Sequence, residues 1–329
     1  MQDYELSILE QYPIIVKSTR KTRGAFFCDT DQGFLLLREA GMSKRRILAV
    51  QKLCSHLEEE GYARTDQLIP NQTGEYVSTS EEGRNYILKR WFRGRECDIR
   101  KGKELLEGTA NLAHLHRFMT EIPEGENAAK CSIRDEYARH NQQLKKIRKF
   151  MRNQSPLGEF EMEFLICFDR IFQWAEVAFE EAQDMPCDRL FQECREKGMM
   201  IHGDYNYHNI LMTDDGIATT NFDRSGYHIQ AEDVYYFLRK AMEKQGWNIR
   251  AGGHMLDAYD AIRPLTREEE GYLKLRLIYP ERFWKLADSY YRSNKAWISV
   301  KNVEKLKTAI RQIEEKRQFL ETVFAFRLS

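Results

Sequence analysis

Over its first ninety residues the chain alternates short apolar runs with polar turns. Gly24-Ala25-Phe26-Phe27-Cys28 and Gly33-Phe34-Leu35-Leu36-Leu37-Arg38 flank Asp29-Thr30-Asp31-Gln32, which predicts a hairpin. After Ser43 the period lengthens. Ile47, Val50, Leu53, Cys54 and Leu57 fall at helical spacing, with Ser43 as the cap and Gly61 as the stop. Two more strands are predicted around residues 74–78 and 85–91, joined by a polar turn over 79–84. From about Asp98 the pattern is helical. One apolar-rich helix carries Leu105, Leu112 and Leu115, and a polar helix spans 134–151. A third, over 160–182, repeats Phe160, Phe164, Phe168 and Phe172 at steps of four. Val303, Leu306, Ile310, Ile313, Leu320 and Phe324 predict an amphipathic C-terminal helix. The chain is therefore α+β and bilobal, with a small β-rich lobe at 1–92 and a larger, mainly helical lobe at 93–329. A cleft between such lobes is where ligands usually sit.

Composition narrows the function classes. Lys+Arg and Asp+Glu both number 51 in 329 residues, so no global field favours nucleic acid or an anionic membrane surface. The apolar runs stop at four or five residues, far short of the roughly 20 of a membrane helix. Seven cysteines, an odd number without C-x-x-C, argue against a disulfide framework or a zinc site. The N-terminus lacks the basic start and apolar stretch of a signal peptide, so synthesis in a reducing cytoplasm is expected.

The stretch Met199-Met-Ile-His-Gly-Asp-Tyr-Asn-Tyr-His-Asn-Ile-Leu-Met212 sets eight mostly polar residues between two apolar runs, more than a hairpin turn needs. Asp204 is followed at plus five by Asn209, then by a short strand, an Asp-Gly turn and Asn221-Phe222-Asp223. Carboxylates and amides at the ends of a tight loop and across a hairpin can converge on one cation. Magnesium accepts such hard oxygen donors together with phosphate oxygens. An Asp beside an incoming hydroxyl can take its proton during phosphoryl transfer. The plainer reading is a polar loop in which Asp204 caps a turn and His202 packs beneath it; five features in fixed order favour the site.

His202-Gly-Asp-x-x-x-x-Asn209 followed by Asn221-Phe-Asp223 is similar to the catalytic and metal loops of protein-kinase-like phosphotransferases, in the aminoglycoside and choline branch. Together with Glu232-Asp-Val-Tyr-Tyr-Phe-Leu-Arg-Lys240, Tyr279-Pro-Glu-Arg-Phe-Trp-Lys285, Tyr290-Tyr-Arg-Ser-Asn-Lys-Ala-Trp297, Trp91-Phe-Arg-Gly-Arg-Glu96 and Leu112-Ala-His-Leu-His116, the chain resembles the CotS-type spore coat protein family of endospore-forming Firmicutes. The resemblance implies a protein-kinase-like fold. It places Asp204 as catalytic base, with Asn209, Asn221 and Asp223 at the metal. It also implies ATP and Mg2+ as cofactors, with Arg38 at the phosphates and Arg90, Trp91 and Phe92 at the hinge beside the adenine. Asp233 either braces the catalytic loop or simply caps the next helix. Mother-cell synthesis, deposition in the spore coat and other coat proteins as partners follow from the same resemblance, with no nucleic acid and no membrane.

Several positions depart from the phosphotransferase pattern. Asn221 is neutral where an Asp is expected, and Asp223 could substitute for it. Arg38 stands where the third strand should carry lysine, and its rigid fork is no like-for-like replacement. No Glu of the 43–61 helix faces inward to pair with it, and Gln51 falls on the polar side. The run Lys17-Ser-Thr-Arg-Lys-Thr-Arg-Gly24 has one glycine where a phosphate loop needs small residues; it reads as a solvated basic turn or a phosphate-attracting one. His114 and His116, two apart, face different ways and are structural. Three readings result: a coat-associated pseudokinase or nucleotide-binding scaffold, an ATP/Mg-dependent phosphotransferase for a small hydroxyl-bearing substrate or coat component, and a plain structural coat protein.

Overall fold

The alternation over residues 25–39 forms an antiparallel hairpin of β2 (Ala25–Thr30) and β3 (Gly33–Glu39). The computed structural model describes residues 4–22, 24–122, 132–293 and 300–328. Arg23 of the basic run and residues 294–297 of the last family-like block lie outside the described residues. The N-terminal sheet runs β1 (Val16–Thr22), β2, β3, β6 (Asn85–Arg90), β4 (Leu68–Ile69), and β5 (Ser78–Thr79) also pairs with β6.

Two sequence expectations need correction here. The basic run is not a turn: residues 17–22 belong to the exposed edge strand β1. Arg20 and Lys21 lie over the Phe27 and Phe26 rings, at 5.7 and 5.1 Å from their centroids. Charged side chains along an unpaired edge also discourage pairing with another chain. The strand expected at 74–78 shrinks to β5. Asn71 Oδ1 accepts from the amides of Thr73 and Glu75, and this local turn competes with a ladder.

Period-2 alternation gives the sheet two covered faces. On one, Phe26, Cys28, Leu35, Leu37, Tyr86 and Leu88 pack on Ile8, Leu9 and Tyr12 of the N-terminal segment. On the other, Ile87 and Leu68 meet Ile47 of α1 (Lys44–Glu59). Leu36 pairs with Lys89 and Arg38 with Ile87, so Arg38 and Lys89 lie on this second face, on adjacent strands. Ser43 caps α1, its side chain accepting from Arg46 N at 3.3 Å. Gln51 points inward rather than to solvent: it is buried, and Oε1 accepts from Leu68 N at 2.8 Å, tying α1 to β4.

The larger lobe contains α2 (Gly102–Phe118), α3 (Ile133–Arg152), α4 (Glu159–Asp184), α5 (Cys187–Glu196), α6 (Ala231–Gln245), α7 (Ile249–Asp260), α8 (Arg267–Ile278), α9 (Glu281–Arg292), α10 (Val300–Arg311) and α11 (Ile313–Phe324). The predicted single C-terminal helix is thus two, broken at Gln312, whose side-chain amide donates to Glu243 O. Two small β units frame the loops at the cleft: β7 (Arg95–Glu96) on β9 (Ile210–Thr213) and β10 (Gly216–Thr219), and β8 (Met200–Ile201) on β11 (Gly226–Tyr227). Residues 91–94 join β6 to β7. A second contact links the lobes, where Thr65 bridges to Thr219 and Thr219 N donates to Arg64 O. No helix of the described residues is long and apolar enough to cross a membrane.

The phenylalanines of α4 fill the core of this lobe, and Phe164 stacks on Phe283 with centroids 4.8 Å apart. Trp284 is half-buried and stacks on His140. Phe164→Ala should destabilise the protein by about 3–5 kcal/mol in urea denaturation. A loss below about 1 kcal/mol would mean that this contact is not core packing.

Candidate active site

The loop between β8 and β9 holds Asp204 and Asn209, and buried hydrogen bonds fix its shape. The His202 ring is fully buried; Nδ1 accepts from Asp204 N at 3.2 Å and Nε2 donates to Thr220 O at 3.0 Å. Asp233 lies in the first turn of α6, two residues inside the helix start, and does not cap it. Its carboxylate accepts from His202 N at 2.6 Å and Gly203 N at 2.9 Å, and from His116 Nε2 at 3.2 Å. His116 Nδ1 in turn accepts from Tyr259 O–H at 2.7 Å. Burial opposes ionisation of Asp233, but the bonds from His116 and His202 outweigh it and hold its pKa below the ordinary value. Gly203 has φ +78°, and a Cβ there would meet Arg224 O at 2.2 Å, so no other residue fits between the two loops.

Within this frame Asp204 is half-buried, and Oδ1 accepts from the Asn206 side-chain amide at 3.0 Å. Tyr236 of α6 faces it. Burial, then the neighbouring Asp204 charge, pushes the phenol up to about 12. Asn209 Nδ2 donates to Asp204 O at 2.8 Å, while Asn209 Oδ1 accepts from Asn221 Nδ2 at 3.3 Å. Asn221 sits in the left-handed region at φ +74°, which Asn tolerates better than most residues.

Arg38 joins this group from β3: Nη1 donates to Asn221 Oδ1 at 3.1 Å, and Nη2 pairs with Asp223 Oδ2. The other Asp223 oxygen takes Lys89 Nζ at 3.0 Å, and Lys89 also reaches Asp66 Oδ2 at 2.8 Å. Asp66 Oδ2 accepts from Asn221 N as well, at 2.9 Å. Lys89 is 1% exposed. Burial opposes its charge, but Asp66 and Asp223 more than compensate and raise its pKa. The Asp223 pKa is held down by Lys89 and Arg38, again against burial. From α1, Arg46 Nε donates to Asp223 O at 3.0 Å, and Nη2 donates to Ser225 O.

The structure therefore brings Arg38, Asn209, Asn221 and Asp223 together beside Asp204. A magnesium ion does not fit this donor set as it stands. Asn209 Oδ1, Asn221 Oδ1 and both Asp223 oxygens already accept hydrogen bonds, and two of the donors are cations.

The hinge residues lie apart from this group. Arg90 turns outward to Glu58 Oε1 at 3.0 Å and lowers that carboxyl's pKa. The amides of Arg90 and Trp91 are taken by Gln67 O and Phe34 O, at 2.7 and 2.8 Å. The Trp91 ring meets Phe27 edge-on, and Arg64 lies over Phe92. Sequence reasoning missed Lys89, Asp66 and Arg46. Lys89 carried a signal: a lysine continuing the face of Ile87 in a strand buried on both sides needs an internal partner.

A family model described as "Spore coat putative kinase YutH" matches residues 5–323. The chain belongs to that family. It is 23% identical over 324 residues to spore coat protein S of Bacillus subtilis (strain 168), covering 95% of this chain and 92% of the relative. An aminoglycoside phosphotransferase from Alicyclobacillus acidocaldarius subsp. acidocaldarius DSM 446 superposes with a TM-score of 0.86 at 14% identity, over 97% of this chain and 95% of that one. Spectinomycin phosphotransferase APH(9)-Ia, solved with ADP and spectinomycin, gives 0.67 at 11% identity, over 96% and 98%. The fold of this family member is thus the bilobal protein-kinase-like one.

Asp233→Asn would leave one acceptor oxygen for three donors. It should cost about 3 kcal/mol in denaturation and speed hydrogen exchange at the His202 and Gly203 amides. Unchanged exchange at those amides would show that the loop keeps its shape without Asp233.

Proposed function

We propose that this protein is a catalytically silent kinase-fold scaffold of the spore coat, made in the mother cell and acting through contacts with other coat proteins. The observation that carries the reading is the engagement of Asp223 by both Arg38 and Lys89, with Asn221 in place of a second carboxylate. A site that has lost one anionic ligand, and whose remaining one is neutralised by internal cations, has little left to attract Mg2+. Arg38, the part-exposed cation of the two, can face phosphate oxygens directly, so any nucleotide would bind without metal.

The runner-up is an ATP/Mg-dependent phosphotransferase for a small hydroxyl-bearing acceptor or a coat component. It draws support from the braced Asp204 loop, in which Asp233 accepts from the His202 and Gly203 amides next to the proposed base. Asp204→Asn separates the two. In sporulating cells carrying a tagged copy, the scaffold reading expects normal deposition in the coat and normal coat function from this variant. Loss of coat function in Asp204→Asn protein that still folds and localises would overturn it in favour of the enzyme.

A further inference from the structure

Away from the cleft, α3 and α9 bring Glu136, His140 and Glu281 together, and one donor atom from each lies within 4.8 Å of the other two. Glu136 and His140 are one helical turn apart on α3, and so share a face. Glu281 is the first residue of α9. Two atoms of this group are orphaned. Glu281, with its side chain only 7% exposed, leaves Oε2 without a hydrogen-bond partner, and His140 Nδ1 is likewise buried and unpartnered. Buried polar atoms in native proteins rarely lack a partner.

The surroundings hold the three groups in place while leaving donor atoms open. Arg276 contacts Glu136 through Oε1 at 3.0 Å, and Lys285 contacts Glu281 through Oε1 at 2.9 Å. The His140 ring is stacked on Trp284, with centroids 3.5 Å apart. Each carboxylate is thus gripped by a cation at one oxygen and oriented by it, as outer-shell partners orient metal ligands.

We propose that Glu136, His140 and Glu281 form a binding site for a zinc-class divalent cation. The donor set selects the ion. Magnesium and calcium favour all-oxygen shells, whereas zinc takes imidazole and carboxylate together at about 2.0–2.2 Å and leaves a fourth position for water. Tetrahedral ligands at those lengths stand roughly 3.4 Å apart, so the three donor atoms, within 4.8 Å of one another, would close by up to about 1.4 Å on binding. Bound there, the ion would clasp α3 to α9, independently of the cleft network.

The test is zinc titration of the full-length protein after chelator treatment, followed by metal analysis after gel filtration and by thermal unfolding. Cobalt(II) absorption serves as a geometric readout. The expected result is one retained equivalent of Zn2+, a zinc-dependent rise in Tm and a tetrahedral cobalt spectrum. Loss of an outer-shell partner alone weakens binding about 10–100-fold. Loss of a ligand in His140→Ala or Glu281→Gln should therefore weaken it by at least about tenfold. Glu136→Gln, at a half-buried position, supplies the same test should the other variants fail to fold. Absence of retained zinc in the wild type would overturn the site, as would zinc that persists at equal affinity in these variants.

Discussion

The buried charge network of Arg38, Lys89, Asp66 and Asp223 is the constraint on which the arrangement of the cleft depends. It draws on four separate pieces of chain: β3, β6, the segment after α1 and the loop after β10. Lys89 and Asp66 are each 1% exposed, so neither charge could be tolerated alone. Removing one partner from such a group costs about 3–5 kcal/mol, because the others are left uncompensated. The sheet of the small lobe is thereby locked onto the loop that carries Asn221. Arg46 adds a further tie between α1 and the backbone of that loop.

The same magnitude bears on function. A metal ion entering between Asn209, Asn221 and Asp223 would first have to displace the contacts of Arg38 and Lys89 with Asp223. It would then sit beside two positive charges, with one carboxylate rather than two to hold it. The neighbouring Asp204 loop is held by a different set of bonds, those of Asp233 to His202 and Gly203. The Asp204 loop is therefore braced by one set of hydrogen bonds, while the group around Asp223 is filled by the chain's own cations.

Much of this architecture was legible in the sequence, because it rests on periodicity and on ordered motifs. The 25–39 hairpin, the Ser43-capped helix and the aromatic face of α4 were all visible as spacing. What escaped depended on three-dimensional pairing. Gln51 read as solvent-facing, yet it reaches the amide of Leu68 in a two-residue strand too short to register as a pattern. Asp66 sits in a connecting segment and acquires meaning only beside Lys89. Arg38 was noticed as a substitute for lysine, but nothing in the sequence said that it would turn to Asn221 and Asp223. The basic run at 17–22 looked like a turn because its strand lies on an edge, where no buried face imposes alternation.

The most direct test of the internal-cation account is ATP affinity measured by calorimetry in excess Mg2+ and again in EDTA. With Asp223 held by Arg38 and Lys89, magnesium should not tighten binding, and any affinity seen should be as strong in EDTA. ATP binding that appears only with Mg2+, or is tightened tenfold or more by it, would contradict the account.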